Sequence, residues 1–314
     1  GRHLLARRSP QEGPSPGAMG DHLVVLQHGI CGTSDDQRNM ADALELAFAG
    51  RLRTLLSCAS EGNTMDGIEA GGARLAEEVR REAPRRGGCI SFVCHSLGGL
   101  YARHALRLLE VEGWFIQNGV RPTNFVTTAS PHLGIMEVGD FWRWGIRLVH
   151  GALGSSISDL ALQSDVIHGL TDDVAIRSLQ RFERRAVYGN LDDDLWVRPC
   201  SALLVPCLPS LPELHEGVPE ELTEVPGDCE LIAFPEEQRA VVGEMLARLT
   251  TLEWERYLVS FQSGYWPGAA HAKICNHSSE DSADLGVHVV FHICKSFLDA
   301  SPDGSGSRVS ASTT

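Results

Sequence analysis

Residues 89–99, Cys89-Ile90-Ser91-Phe92-Val93-Cys94-His95-Ser96-Leu97-Gly98-Gly99, constrain the fold of this chain more than any other stretch. A β-type apolar run (Ile90, Phe92, Val93) stops at a serine among small residues, and a helical pattern begins at once. Strand, sharp turn and helix in that succession lift a serine hydroxyl above the end of a parallel strand, in a strained conformation, and small neighbours let strand and helix approach closely. Ser96 is therefore a candidate nucleophile. Cys94 stands where the first glycine of the G-x-S-x-G pattern usually stands, and its Cβ predicts a tighter turn. Alone, the pentapeptide is equally a strand-to-helix turn whose serine caps the helix.

The flanking chain supplies context. His22-Leu23-Val24-Val25-Leu26-Gln27 is a continuous apolar run, as expected of a parallel strand buried on both faces, and it leads into His28-Gly29-Ile30-Cys31-Gly32. A glycine-rich loop at a strand end can present backbone N–H groups to developing negative charge. With Ser96 downstream, the N–H groups of Ile30 and Leu97 are the natural pair of oxyanion-hole donors, and His28 reads as a loop-holding residue. Ser34 and Asp35 are expected to cap a helix over 36–49, followed by a strand near 53–58, a turn at 60–64 and a helix over 66–82 with Ile68, Leu75 and Val79 inward. Beyond the 97–110 helix come strands at 124–128 and 185–190, a helix at 236–249, a strand at 254–261 and a helix at 282–298. This alternation predicts an α/β fold with a mostly parallel sheet and helices on both faces.

Two segments interrupt the alternation. Residues 135–183 are rich in large apolar groups (Phe141, Trp142, Trp144, Ile146, Leu148, Val149, Leu153), read either as extra core helices or as a helical cap over the catalytic end of the sheet; their place after a strand end favours the cap. Residues 206–237 hold six prolines and nine acidic residues with no lysine or arginine, and read as a solvated mobile loop. Residues 1–20 and 301–314 are expected to be disordered, leaving one α/β domain over 21–300.

Composition removes several classes of function. A net charge of −14 disfavours nucleic-acid binding, which needs a basic surface. No apolar run approaches the length of a membrane span, so any membrane contact is expected to be peripheral. Nine cysteines without a C-x-x-C pair point to free thiols in a reducing compartment, hence a cytoplasmic location, rather than to a disulfide framework or a zinc site.

A serine needs a base, and the imidazolium formed needs an orienting carboxylate. In this architecture the order is Ser, Asp or Glu, then His, and Ser96, Asp194 and His271 follow it, each after an expected strand. Asp192 and Asp193 compete with Asp194, and His277, His288 and His292 compete with His271. His288 and His292 lie four apart on one helix but lack the glutamate of H-E-x-x-H, so no metal is expected and no cofactor is needed. His95 and His132 are candidates to line the pocket.

Several blocks together resemble the eukaryotic putative serine esterase family of lipase-like α/β-hydrolases: LVVLQHGICG (23–32), SEGNTMDGIEAGGARLAEE (60–78), ISFVCHSLGGLYAR (90–103), NFVTTASPHLG (124–134), FERRAVYGNLDDDLWV (182–197) and residues 254–274. The resemblance covers about residues 21–299. It implies the α/β-hydrolase fold and hydrolysis of a carboxylic or lipid ester. The family's aspartate, six residues after its tyrosine, falls on Asp194 counted from Tyr188, and its histidine falls on His271 ahead of Ile274. Cys94 and the acidic insertion depart from the family pattern. The expected activity is a serine carboxylester hydrolase acting on a lipid-like ester, the alternatives being a thioesterase or protein deacylase, or a catalytically silent binding module on the same fold.

Overall fold

Leu23, Val24, Val25 and Leu26 have almost no solvent exposure, and their strand β1 (His22–Gln27) lies inside the sheet, as an apolar run without polar alternation requires. The computed structural model describes residues 22–84, 87–135, 154–208, 214–223, 231, 234–261, 268–277 and 286–299. The other strands are β2 (Leu52–Leu56), β3 (Cys89–His95), β4 (Arg121–Thr128), β5 (Arg184–Asn190), β6 (Glu220–Glu221) and β7 (Glu255–Val259). They form one sheet in the order β2-β1-β3-β4-β5-β7-β6. Every pair is parallel except β6–β7. This is the α/β-hydrolase fold.

The two-residue side-chain period of a strand divides the core. Leu23 and Val25 face one apolar cluster and Val24 and Leu26 the other; Ile90, Phe92 and Cys94 join the first and Val93 the second. Helices α2 (Ile68–Glu82) and α3 (Leu97–Val111) cover the first face. Helix α1 (Arg38–Phe48) covers the second, through Met40 and Leu44, together with a C-terminal helix at Val287–Asp299 that supplies Val289 and Ile293. Each such side chain, fully buried, contributes roughly 1.5–3 kcal/mol of transfer free energy. Because the long strands are parallel, their C-terminal ends open on one edge, where the turns after β1, β3, β5 and β7 gather.

The structure differs from the sequence expectation in several places. A short 3-10 turn (Ser34–Gln37) precedes α1, capped one residue earlier than expected: the Thr33 N–H donates to Asp36 Oδ2 at 3.1 Å. The apolar stretch 136–153, including Phe141, Trp142, Trp144, Ile146, Leu148, Val149 and Leu153, lies outside the described residues, as do 1–21 and 300–314. Helix α4 (Trp114–Asn118) follows α3, and the described part of the expected cap forms α5 (Ser155–Leu160), α6 (Val166–Gly169) and α7 (Asp173–Gln180). These pack as core helices. Asp159 accepts the Ile68 N–H at the start of α2 (3.0 Å), and Arg107 of α3 forks onto Asp172, the N-cap of α7 (2.6 and 2.9 Å).

The acidic segment is not simply a loop. It contributes β6, which takes the free edge of β7, and it buries Leu222 and Phe234 in the core. Helices α8 (Pro199–Leu203) and α9 (Glu236–Leu249) flank it. Cys207, at its start, is disulfide-bonded, which corrects the expectation of free thiols throughout. Cys31, Cys58, Cys89, Cys94, Cys200, Cys275 and Cys294 are free.

Candidate active site

Ser96 joins β3 to α3 at φ 53°, ψ −129°, a left-handed conformation that costs a non-glycine residue about 1–3 kcal/mol. The surroundings enforce it. A Cβ on Gly98 would come within 2.5 Å of the Gln27 carbonyl oxygen and 2.6 Å of that of His28, so only glycine lets α3 start this close to β1. Cys94 lies within β3 with its side chain in the core, and its thiol pKa is pushed up by burial. The cysteine therefore fills core volume while the strain sits at Ser96.

Above Ser96 lies His271, carried by the short helix α10 (Ala270–Lys273) after β7. The Ser96 hydroxyl is 2.8 Å from His271 Nε2, and His271 Nδ1 is 2.9 Å from Asp194 Oδ2. With Nδ1–H donating to the carboxylate, Nε2 is left as the acceptor of the serine proton. Asp194, in the turn after β5, accepts three further bonds: Asn190 Nδ2 at 2.8 Å, the Trp196 N–H at 3.0 Å and the Val197 N–H at 2.9 Å. Burial alone would raise its pKa. The His271 charge and hydrogen bond, with those of Val197 and Asn190, bring it below the ordinary carboxylate value.

The competing residues are engaged elsewhere. Asp192 accepts from the Ser260 hydroxyl (3.1 Å) and Asp193 from the Gly268 N–H (3.2 Å), so both hold neighbouring turns. His277 pairs with Asp36 at 3.0 Å. On the C-terminal helix, α11 (Val287–Asp299), His292 Nδ1 is 2.8 Å from the Tyr188 hydroxyl and His288 faces solvent. Among the described residues no group of three or more His, Cys, Asp or Glu could hold a metal ion.

His28 donates to the Gly29 carbonyl oxygen at 3.0 Å, as a loop-holding residue does. His132 is buried, 2.9 Å from the Thr127 hydroxyl. The Ile30 loop lies directly against the serine, since a Cβ on Gly29 would meet Ser96 Cβ at 2.8 Å. Neither the Ile30 nor the Leu97 N–H bonds to another backbone group among the described residues.

One contributor went unnoticed in the sequence, and one expected to line the pocket lies against the base. Asn190 steadies the Asp194 carboxylate; its signal was its place four residues ahead, in the Tyr-x-Asn block. His95 packs its ring 4.8 Å from that of His271 and bonds Thr128, while burial first and the His271 charge second lower its pKa to about 3, which keeps it neutral. Nothing in a lone histidine before a serine announces that contact.

Comparison with known proteins gives the family. "Putative lipase ROG1" of Saccharomyces cerevisiae is 35% identical over 191 residues, 55% of this chain and 27% of the relative; "Putative lipase YDL109C" of the same yeast is 28% identical over 192 residues, 55% and 28%. The match thus spans little more than a quarter of these relatives' length. The mature lipase BlEst2 of Bacillus licheniformis superposes with a TM-score of 0.41 at 16% identity, over 62% of this chain and 82% of that one. The family model described as "Putative serine esterase (DUF676)" matches residues 18–203, more than half of the sequence, and the chain belongs to that serine esterase family.

Proposed function

We propose that this chain hydrolyses carboxylic esters of a lipid-like kind through an acyl-enzyme on Ser96. The observation that carries the reading is the relay from Ser96 Oγ through the His271 ring to the Asp194 carboxylate, at 2.8 and 2.9 Å. In this mechanism Ser96 Oγ attacks the acyl carbon and its proton passes to His271 Nε2. Asp194 holds the imidazole in the accepting tautomer and stabilises the imidazolium. The Ile30 and Leu97 N–H groups receive the oxyanion, and His271 returns the proton to the leaving alcohol. Water, deprotonated by His271, then attacks the acyl carbon and releases the acid and Ser96.

A lipid-like substrate fits the rim, where Leu195 and Trp196 stand 44% and 49% exposed beside Asp194. No helix among the described residues is long and apolar enough to cross a membrane.

The test is labelling of the purified protein with a fluorophosphonate, peptide mapping, and turnover of matched oxygen and thioester substrates. Modification at Ser96, lost in His271→Ala, with oxygen esters turned over faster, is the expected result. A folded protein that stays unlabelled would sink the reading, and preference for the thioester would replace the substrate class.

A further inference from the structure

An Ile30 N–H can serve an oxyanion only if residues 29–33 are held still, and this loop has little structure of its own. Its internal support is a 3.3 Å bond from the Gly32 N–H to the Gly29 carbonyl. Cys31 also sits at φ 53°, a left-handed conformation that a non-glycine residue keeps only where its surroundings impose it. The restraint comes from the turn after β2, residues 60–64. There the Cys31 N–H donates to Thr64 Oγ1 at 2.9 Å and the Ser34 N–H to the Glu61 carboxylate at 2.6 Å.

Thr64 is itself anchored. It is 5% exposed, and its carbonyl oxygen accepts from the Tyr101 hydroxyl of α3 at 2.9 Å and from the Ser156 hydroxyl of α5 at 2.7 Å. Ser156 in turn accepts the Gly67 N–H at 3.0 Å. One buried threonine therefore ties the loop at Ile30 to the helix that starts at the serine turn.

We propose that Thr64 is the positioning residue of the oxyanion loop: by holding the Cys31 N–H, its hydroxyl oxygen fixes the Ile30–Cys31 peptide so that the Ile30 N–H stays aimed at the carbonyl under attack. This rests on the hydrolase reading above. When Ser96 Oγ bonds to the acyl carbon, its proton goes to His271 Nε2 and the carbonyl π pair moves onto oxygen. The Ile30 N–H is thus needed most in the transition state. A misaimed donor lowers kcat and leaves KM nearly unchanged.

The experiment compares the full chain with Thr64→Val, which keeps the shape and loses the acceptor, and Thr64→Ser, which restores the hydroxyl. The readouts are kcat and KM on p-nitrophenyl butyrate, the Ki of an alkyl trifluoromethyl ketone, whose hemiketal oxygen occupies the same donors, and the Tm. In Thr64→Val, kcat should fall by about 10- to 100-fold, less than the 10²–10³ seen when a donor is deleted. Ki should rise in parallel, KM should hold within about twofold, and Thr64→Ser should recover kcat. Should the valine variant not fold, Tyr101→Phe, which unties the Thr64 carbonyl, should show the same kcat-selective loss on a smaller scale. A folded Thr64→Val with wild-type kcat and Ki, equal losses in valine and serine, or wild-type kcat in Tyr101→Phe would overturn the clamp. A wild-type protein without turnover that Ser96→Ala abolishes overturns the hydrolase reading and the clamp with it; an active wild type with an unaffected valine variant overturns the clamp alone.

Discussion

Asp194→Asn separates orientation of the base from folding, because the surrounding hydrogen bonds dictate how asparagine must sit. Asp194 Oδ1 accepts two backbone N–H groups, from Trp196 and Val197, and Oδ2 accepts from Asn190 and His271. The amide oxygen of the variant has to take the Oδ1 place, since an NH₂ there would face two donors at 2.9–3.0 Å. Its NH₂ then donates to His271 Nδ1, which puts the imidazole proton on Nε2, facing Ser96 Oγ at 2.8 Å. The base is left without a lone pair for the serine. Asn190 Oδ1, buried and without a partner among the described residues, can turn to accept the second amide hydrogen, so the network closes and the protein folds. A wrong-tautomer base costs about 10⁴ in kcat, or about 5 kcal/mol of barrier. Loss of charge-assisted bonds costs about 1–2 kcal/mol of stability, a Tm decrease of no more than about 5 °C. The assay is steady-state hydrolysis of p-nitrophenyl butyrate alongside circular-dichroism melting, with Asp192→Asn and Asp193→Asn as comparisons. A folded Asp194→Asn within tenfold of wild type would refute the reasoning, as would an equal loss in either neighbour.

Cys94→Gly should lower stability by about 1–2 kcal/mol, through the buried volume lost and the freer backbone, and leave kcat unchanged, because the strain lies at Ser96; a changed kcat at unchanged Tm would contradict this. The Asp36–His277 pair should make stability pH-dependent. Burial opposes ionisation of Asp36, but bonds from His277 and Thr33 bring its pKa below the ordinary 3.8, so its contribution is present above that value and is lost as pH falls through the lowered one. The Asp36 hydrogen bond raises the His277 pKa above 6.5, so that contribution is full below 6.5 and is lost as pH rises through the raised value. The Tm difference between wild type and His277→Gln should therefore be largest between about pH 4 and 6.5; equal differences at pH 5 and pH 9 would contradict it. Thiol titration of the denatured chain should reach all nine cysteines only after reduction; nine at the outset would show that Cys207 carries no disulfide.

Legibility of the sequence tracked the range of the interactions involved. The Leu23–Leu26 run and the abrupt passage from Phe92 and Val93 to the 97–111 helix carry their own signals, since burial on both faces and a strand-to-helix turn are encoded in adjacent residues. The helix at Glu236–Leu249 begins and ends where its apolar spacing says. By contrast β6 is two glutamates with no strand pattern, and it pairs because β7 offers an unfilled edge. Residues 155–180 are apolar at helical spacing, which fits a cap as well as a core layer; the Arg107–Asp172 and Ile68–Asp159 bonds, between segments 65 and 91 residues apart, tie these helices to α3 and α2.

By itself the sequence determined the strand–turn–helix at Ser96, the glycine loop at Ile30, the parallel alternation, and the order in which a serine, an acidic cluster and several histidines follow. Local chemistry could not choose among Asp192, Asp193 and Asp194, nor between His271 and His277, because adjacent carboxylates and nearby imidazoles are alike, and only the family resemblance singled out Asp194 and His271. The tertiary structure supplies the contacts themselves. Parallel strands bring their C-terminal ends to one edge, so groups 77 and 175 residues apart meet within hydrogen-bond distance, and only the backbone path of each turn decides which side chain points at the serine. Thr64 belongs to the same category: its hydroxyl acquires a role from the Cys31 N–H that the folded sheet places 2.9 Å away.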